Sequence, residues 1–174
     1  MLVLKQEMLE LNEKARSTNQ QVLFATVGRA LTSWSKMEEP IVIIASHLLR
    51  ISPEKAGAIF YSINSPRNWF SIISDLFEMD HVLIRHKPKF NKLAKRVGDE
   101  IDIRNQLAHH SIEMAKVHIK PSILDGRTKS KGQSPLSAEQ VSAFTDKVLT
   151  LAEELHELQK AMASTLESWP EKSA

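Results

Sequence analysis

An arginine, an amide and two imidazoles lie within two helical turns near the middle of the chain, in the segment from Arg104 to His110. Successive residues of a helix are rotated by about 100°, so Asn105 and His109 lie on one face and Arg104 lies on the face beside it. A phosphate group can contact all three side chains in that arrangement. The segment therefore supplies the groups that metal-free cleavage of RNA requires.

Each residue type has its own part in that chemistry. An imidazole that titrates near neutral pH can remove the proton of a ribose 2′-hydroxyl, whose oxygen then attacks the neighbouring phosphate. The Arg104 guanidinium can bind the phosphate oxygens and stabilise the charge that accumulates in the transition state. Asn105 can orient the phosphate or the imidazole, and Asp102 can hold the second ring nitrogen of His109. The expected products are a 2′,3′-cyclic phosphate and a 5′-hydroxyl, formed without a metal or a cofactor.

Cleavage also requires an acid that protonates the leaving 5′-oxygen, and one site offers a single well-placed imidazole. A symmetric dimer would bring a second His109 to the same place. His110 is the alternative, although it projects about 100° away from His109. Gly98, Asp102, Asn105 and His109 share a polar strip of the helix, and a glycine there allows another backbone to come close. The sequence therefore favours a homodimer.

Composition limits the other possibilities. The chain has 174 residues with 42% apolar content, enough for one core, so a single domain over 1–174 is expected. The absence of cysteine excludes disulfides and thiolate metal sites and favours a cytoplasmic location. The N-terminus turns polar too early for a secretory signal, and no apolar run could span a bilayer. A formal charge of +2 gives no argument for nucleic-acid binding by bulk charge.

Apolar residues three and four positions apart predict an all-α fold, a bundle of about five helices. Thr18 and Gln21 have the spacing of a capping box, which predicts a short N-terminal helix over 1–18 and a long helix over 19–49. Two serine–proline pairs and a third proline predict the next helix starts. These three helices are expected over about 53–63, 66–85 and 88–110.

A polar insertion over 111–136 follows, where the helical pattern fails and a short extended or hairpin-like segment is expected. Ser137 and Gln140 then form a second capping-box pattern. It predicts a long C-terminal helix that ends near Ser168.

The fourth helix places a charge among apolar residues. Arg104 projects into the stripe formed by Leu93, Val97, Ile101 and Ala108. A buried guanidinium requires a hydrogen-bonded partner of opposite charge. Two carboxylates project into apolar faces of other helices and can serve: Glu38 is the first choice and Asp80 the second.

Arg104, Asn105 and His109 match, as they stand, the motif of the ribonuclease members of the HEPN superfamily, the higher eukaryotes and prokaryotes nucleotide-binding helical domains. The chain resembles that superfamily over about residues 20–165 in its order of helices. Family motifs often end His-Gly, whereas His110 occupies the glycine's place here. The resemblance implies an endoribonuclease whose sites form across paired subunits, in prokaryotic stress or phage defence, with an antitoxin-type protein partner.

Two function classes stay open. The first is the metal-independent endoribonuclease, and the second is a non-catalytic helical module that dimerises and binds a nucleotide, RNA or protein partner. Arg104 with Glu38 can be a purely structural pair, and the two histidines can simply stabilise a helix end. Lys92, Lys95 and Arg96 can follow an RNA backbone or form an ordinary solvated face. Neither class involves a membrane.

Overall fold

The structure is a computed structural model that describes residues 2–63, 65–109, 111–113, 118–120 and 136–169; it describes the side chains of residues 14, 15 and 17 onward, apart from those of His109 and the two short strands. The fold is an all-α bundle, as the sequence predicts. The α-helices of the described residues are α1 Leu2–Leu49, α2 Pro53–Phe60, α3 Pro66–Met79, α4 Lys87–His109 and α5 Ala138–Glu167. A short 3-10 helix, Ile84–His86, leads directly into α4.

Two short strands, β1 Ser111–Glu113 and β2 His118–Lys120, pair antiparallel between α4 and α5. Ile112 lies opposite Ile119 in this pair. The prediction of a hairpin-like segment before the C-terminal helix is therefore confirmed. Residues 114–117 and 121–135 of the predicted insertion lie outside the described residues.

Helix α1 is continuous, so the separate N-terminal helix over 1–18 was a wrong prediction. The Thr18 hydroxyl donates to the Lys14 carbonyl at 3.0 Å, one turn earlier in the same helix. A capping threonine must leave the helical conformation, but no glycine or proline interrupts the chain before Thr18. Its hydroxyl therefore bonds to the preceding turn, as the hydroxyls of Thr26 and Thr32 also do.

The other predicted helix starts are confirmed. Ser52 precedes α2, and its hydroxyl accepts a hydrogen bond from the Lys55 amide at 3.5 Å. At the start of α5, the backbone amide of Gln140 donates to the Ser137 hydroxyl at 3.3 Å. The Ser137 amide donates in return to the Gln140 side-chain oxygen at 2.8 Å. These two reciprocal bonds form the capping box that the sequence predicts.

By its internal contacts the chain divides into two compact units, and each has its own buried residues. The first unit comprises Met1–Thr32 and Ile103–Thr145, and the second comprises Ser33–Asp102 and Asp146–Ala174. The core of the first unit includes Leu23, Ala30, Leu107, Leu136, Val141 and Phe144. In the second unit α3 packs on α4, where the Phe77 and Phe90 rings lie 5.3 Å apart. That both units act as one domain stays a prediction.

None of the described helices combines the length and the apolarity that a membrane crossing needs.

Asp80 ends α3 earlier than predicted and connects it to the end of α1. Its backbone leaves the helical conformation, and its Oδ1 accepts from the amides of Val82 and Leu83, both at 2.9 Å. Its Oδ2 accepts from the Arg50 guanidinium at 2.9 Å. Arg50 lies just past α1 with φ of 55°, a left-handed conformation usually taken by glycine at this position. One carboxylate thus stops one helix and holds the residue that terminates another.

We expect Asp80→Ala to lower the free energy of unfolding by about 2 kcal/mol, because two part-buried amides lose their acceptor. Asp80→Asn should cost less than half as much, since its amide oxygen can still accept from Val82 and Leu83. Urea unfolding followed by circular dichroism measures both, and exposed Asp75→Ala is the control. Equal losses for the two Asp80 variants would show that the pair with Arg50 dominates instead.

Candidate active site

The structure places Arg104 and Asn105 side by side near the end of α4. Arg104 is half-buried, Asn105 is exposed, and the Arg104 Nη1 donates to the Asn105 Oδ1 at 3.2 Å. Both belong to the first compact unit. His109 is the last residue of α4, but its side chain and all of His110 lie outside the described residues. The roles of the two imidazoles therefore stay predictions.

The buried face of α4 runs toward this end of the helix. Leu93, Val97 and Ile101 are all less than 5% exposed, as the helical projection predicts. Ala108 is exposed, so its assignment to the apolar stripe was wrong. Leu107, which projects about 100° away from Ala108 around the helix, is buried instead.

The polar strip that flanks this buried face is open to solvent at Asp102 and Asn105. Gly98 is half-buried, yet a methyl group built there would meet nothing within 4 Å in the described structure. Contacts with the described residues therefore do not require a glycine at this position. Asp102 accepts from Arg67 of α3 at 3.3 Å, and both side chains are more than 60% exposed. The expected contact of Asp102 with His109 stays a prediction.

The two carboxylates proposed as partners of Arg104 have other contacts. The indole of Trp34 donates to the Glu38 Oε1 at 2.7 Å. The Asp80 carboxylate accepts hydrogen bonds from Arg50 and from two backbone amides, as described above. Glu38 belongs to the second compact unit and Arg104 to the first, and their pairing stays a prediction.

The three basic residues expected to contact RNA differ in their surroundings. Lys92 and Lys95 are exposed on α4. Arg96 instead donates to the Glu154 carboxylate of α5 at 2.5 Å. This bond raises the pKa of Arg96 and lowers the pKa of Glu154. Arg96 therefore joins α4 to α5 and is only partly exposed, whereas Lys92 and Lys95 are exposed.

Glu100 is a buried charge that the sequence analysis missed. Its side chain is only 10% exposed, and its Oε1 accepts from Lys147 of α5 at 3.0 Å. Its Oε2 has no hydrogen-bond partner among the described residues. Glu100 precedes Arg104 by one helical turn, so the same projection that placed Arg104 on the buried face could have found it. A cavity of about 300 Å³ adjoins this pair, lined by Arg96, Asp99, Glu100, Lys147, Thr150 and Leu151.

Two histidines outside the motif are held neutral by their surroundings. The His86 Nε2 lies 2.9 Å from the Thr165 hydroxyl, which itself donates to the Ala161 carbonyl. His86 must therefore donate through Nε2, which fixes its tautomer. Burial lowers the pKa of His86, and Arg85 and Lys89 lower it further. Burial and the charge of Arg50 lower the pKa of His47 in the same way.

Guanidinium and side-chain amide groups can both donate to phosphate oxygens, and the structure places one of each side by side on α4. No family model, curated protein or solved structure gives a significant match to this chain. The resemblance to the HEPN superfamily therefore depends on the motif and on the order of the helices.

Because folding lowers the pKa of His86, the free energy of unfolding should fall as the pH drops below about 6.5, the ordinary pKa of histidine. A base whose pKa is lowered by folding binds its proton more readily in the unfolded chain, so acid favours unfolding. Above this pH the contribution of His86 is fully present. We expect His86→Gln, which keeps a donor for Thr165, to reduce the loss in urea midpoint between neutral pH and pH 5. Exposed His81→Gln is the control, and an equal effect of both would contradict the assignment.

Proposed function

We propose that this protein is a HEPN-like, metal-independent endoribonuclease. The observation that carries the proposal is the Arg104–Asn105 pair on the last turns of α4, hydrogen-bonded to each other, with His109 four residues after Asn105. The exposed lysines Lys92 and Lys95 on the same helix can add attraction for an RNA backbone. A cytoplasmic role in prokaryotic stress or phage defence, with an antitoxin-type protein partner, belongs to the same proposal.

The proposed reaction uses the chain's own side chains. The His109 imidazole accepts the proton of the 2′-hydroxyl, and the 2′-oxygen attacks the adjacent phosphorus. The Arg104 guanidinium stabilises the negative charge that grows on the phosphate oxygens. The bond from phosphorus to the 5′-oxygen breaks as that oxygen takes a proton from a second imidazole. A 2′,3′-cyclic phosphate and a 5′-hydroxyl remain.

A homodimer is part of the proposal, because a second copy of His109 can supply the acid. Gly98 supports close approach of two α4 helices, since the described residues leave open space where its side chain would be. A glycine inside a helix costs about 1 kcal/mol relative to alanine. A contact with another chain gives this cost a physical reason.

The alternative is a non-catalytic dimerisation module that binds a nucleotide, RNA or protein partner. One observation favours it: Lys89 and Arg96 of α4 lie 4.0 and 2.5 Å from the carboxylates of Glu157 and Glu154 on α5. These pairs weaken the positive field that RNA would meet along α4. The cleavage experiment below separates the two functions.

His109→Ala should abolish cleavage of a mixed single-stranded RNA pool in EDTA, with a loss of about a hundredfold or more, because the base is removed. His110→Ala should retain more activity. Exposed His156→Ala on α5 is the control for a general effect of removing an imidazole. Sequencing of RNA ends that carry a 2′,3′-cyclic phosphate measures the result. If wild type yields no such end from the pool, the ribonuclease proposal fails and the binding module is the better account.

Gly98→Ala tests the dimer, with Gly28→Ala as its matched control, since a methyl group meets nothing within 4 Å at either position. Each alanine should stabilise its helix by about 1 kcal/mol. Gly98→Ala should also weaken the dimer at least tenfold in sedimentation equilibrium, because the methyl group separates two closely packed helices. A wild type that is monomeric at micromolar concentration, or identical behaviour of the two variants, would exclude α4 as the dimer interface.

A further inference from the structure

A groove of about 460 Å³ lies between α1 and α2, within the second compact unit. Its apolar walls are formed by Val42, Ile43, Pro53, Gly57, Ala58 and Tyr61. The α2 residues of this set recur at helical spacing, so one face of a short helix forms a continuous wall. Neither the proposed ribonuclease site nor the α4 strip includes any of these residues.

Two carboxylates border the groove, Glu39 on α1 and Glu54 on α2, and both are exposed. Hydrogen bonds from the Ser52 side chain and from the backbone lower the pKa of Glu54, so it is ionised at neutral pH. Burial raises the pKa of Tyr61, and the charges of Glu38 and Glu39 raise it further. The border of the groove is therefore negative.

Tyr61 forms a firm aromatic wall. Its ring meets the Trp69 ring edge-on, with centroids 5.5 Å apart, and the Trp69 indole donates to the Ile63 carbonyl at 3.2 Å. Tyr61 nevertheless stays 59% exposed. An exposed aromatic side chain in a fixed position is the type of residue that dominates binding energy at protein interfaces.

We propose that this groove binds a helical segment of a partner protein, with two apolar side chains one turn apart and lysine or arginine beside them. The apolar walls would take the two anchors, and Glu39 and Glu54 would pair with the basic side chains. The wall from Pro53 to Tyr61 is about 12 Å long, which matches two turns of a helix. The same carboxylates repel the phosphates of RNA. This inference does not depend on the ribonuclease proposal.

The probe is a labelled four-turn helical peptide with two leucines one turn apart, flanked by lysines. Its twin has glutamates in place of the lysines. We expect the lysine peptide to bind at least tenfold more tightly in fluorescence anisotropy. Its binding should shift the amide resonances of residues 39–43 and 53–61. Failure of the lysine peptide to bind at millimolar concentration, or equal binding of the twins, overturns the proposal.

Reversing the charge at both border carboxylates provides the sharper test. The double variant Glu39→Lys, Glu54→Lys should bind the lysine peptide at least tenfold more weakly and the glutamate peptide more tightly by a similar factor. Glu139 is the matched control for Glu54, because each is the second residue of its helix and each has its pKa lowered by a capping serine. Exposed Glu153→Lys controls for Glu39. If the control pair changes binding as much as the border pair, the groove is not the site.

A larger side chain at Gly57 would fill the groove. A methyl group there would meet the Tyr61 ring at 3.7 Å and Val42 at 3.9 Å, which are ordinary contacts, so Gly57→Ala should fold normally. Gly57→Leu should abolish binding of the lysine peptide. If the leucine variant does not fold, the charge reversal decides alone. Self-association of the wild type that is lost in Gly57→Leu would assign the groove to a second copy and overturn the proposal.

Discussion

Helix α4 must bury one side and expose the other, and the rest of the structure depends on this division. Its apolar stripe includes Val97 and Ile101, both nearly inaccessible to solvent. Two charged residues, Glu100 and Arg104, continue the same face one turn apart. A charge near a core is tolerated only with a hydrogen-bonded partner of opposite charge, which Lys147 provides for Glu100. The candidate site lies where the buried stripe of α4 gives way to such charges.

Because Arg104 is half-buried, it should lose less rotamer freedom on binding a phosphate than an exposed arginine would. An exposed guanidinium loses rotamer freedom whenever it binds a phosphate, and that loss reduces affinity. A side chain that is partly packed, with its Nη1 bonded to Asn105, has already lost much of this freedom. This partial packing would also orient Arg104 for the phosphate contact that the proposed function assigns to it. A structural pair and a binding residue are not exclusive roles for Arg104.

The helix starts show what local sequence can and cannot predict. Thr18 with Gln21 and Ser137 with Gln140 have the same spacing, but only the second pair forms a capping box. A cap forms where the chain already leaves the helical conformation, and α5 is preceded by a segment without helical pattern. Nothing breaks the helix before Thr18. The serine–proline starts were predictable because proline restricts the backbone by itself.

Other features depend on residues far away along the chain, so no local pattern contains them. Asp80 ends α3 while pairing with Arg50, 30 positions earlier. Glu100 pairs with a lysine 47 positions later. The helical projection of α4 predicted that Arg104 would lie toward the buried face, and it is half-buried there; its pairing with Glu38 stays a prediction. The second imidazole of the proposed reaction is a stronger case, because it would belong to another chain.

The two proposed binding surfaces differ in charge, and this difference limits what each can bind. Arg104 and the exposed lysines of α4 attract phosphate, whereas Glu39 and Glu54 repel it. A single RNA strand therefore gains nothing by entering the groove between α1 and α2. A basic protein segment has the opposite preference, since the groove offers it both apolar contact and opposite charge. The two proposals are therefore compatible, because RNA at α4 and a basic protein segment in the groove would not compete for the same charges.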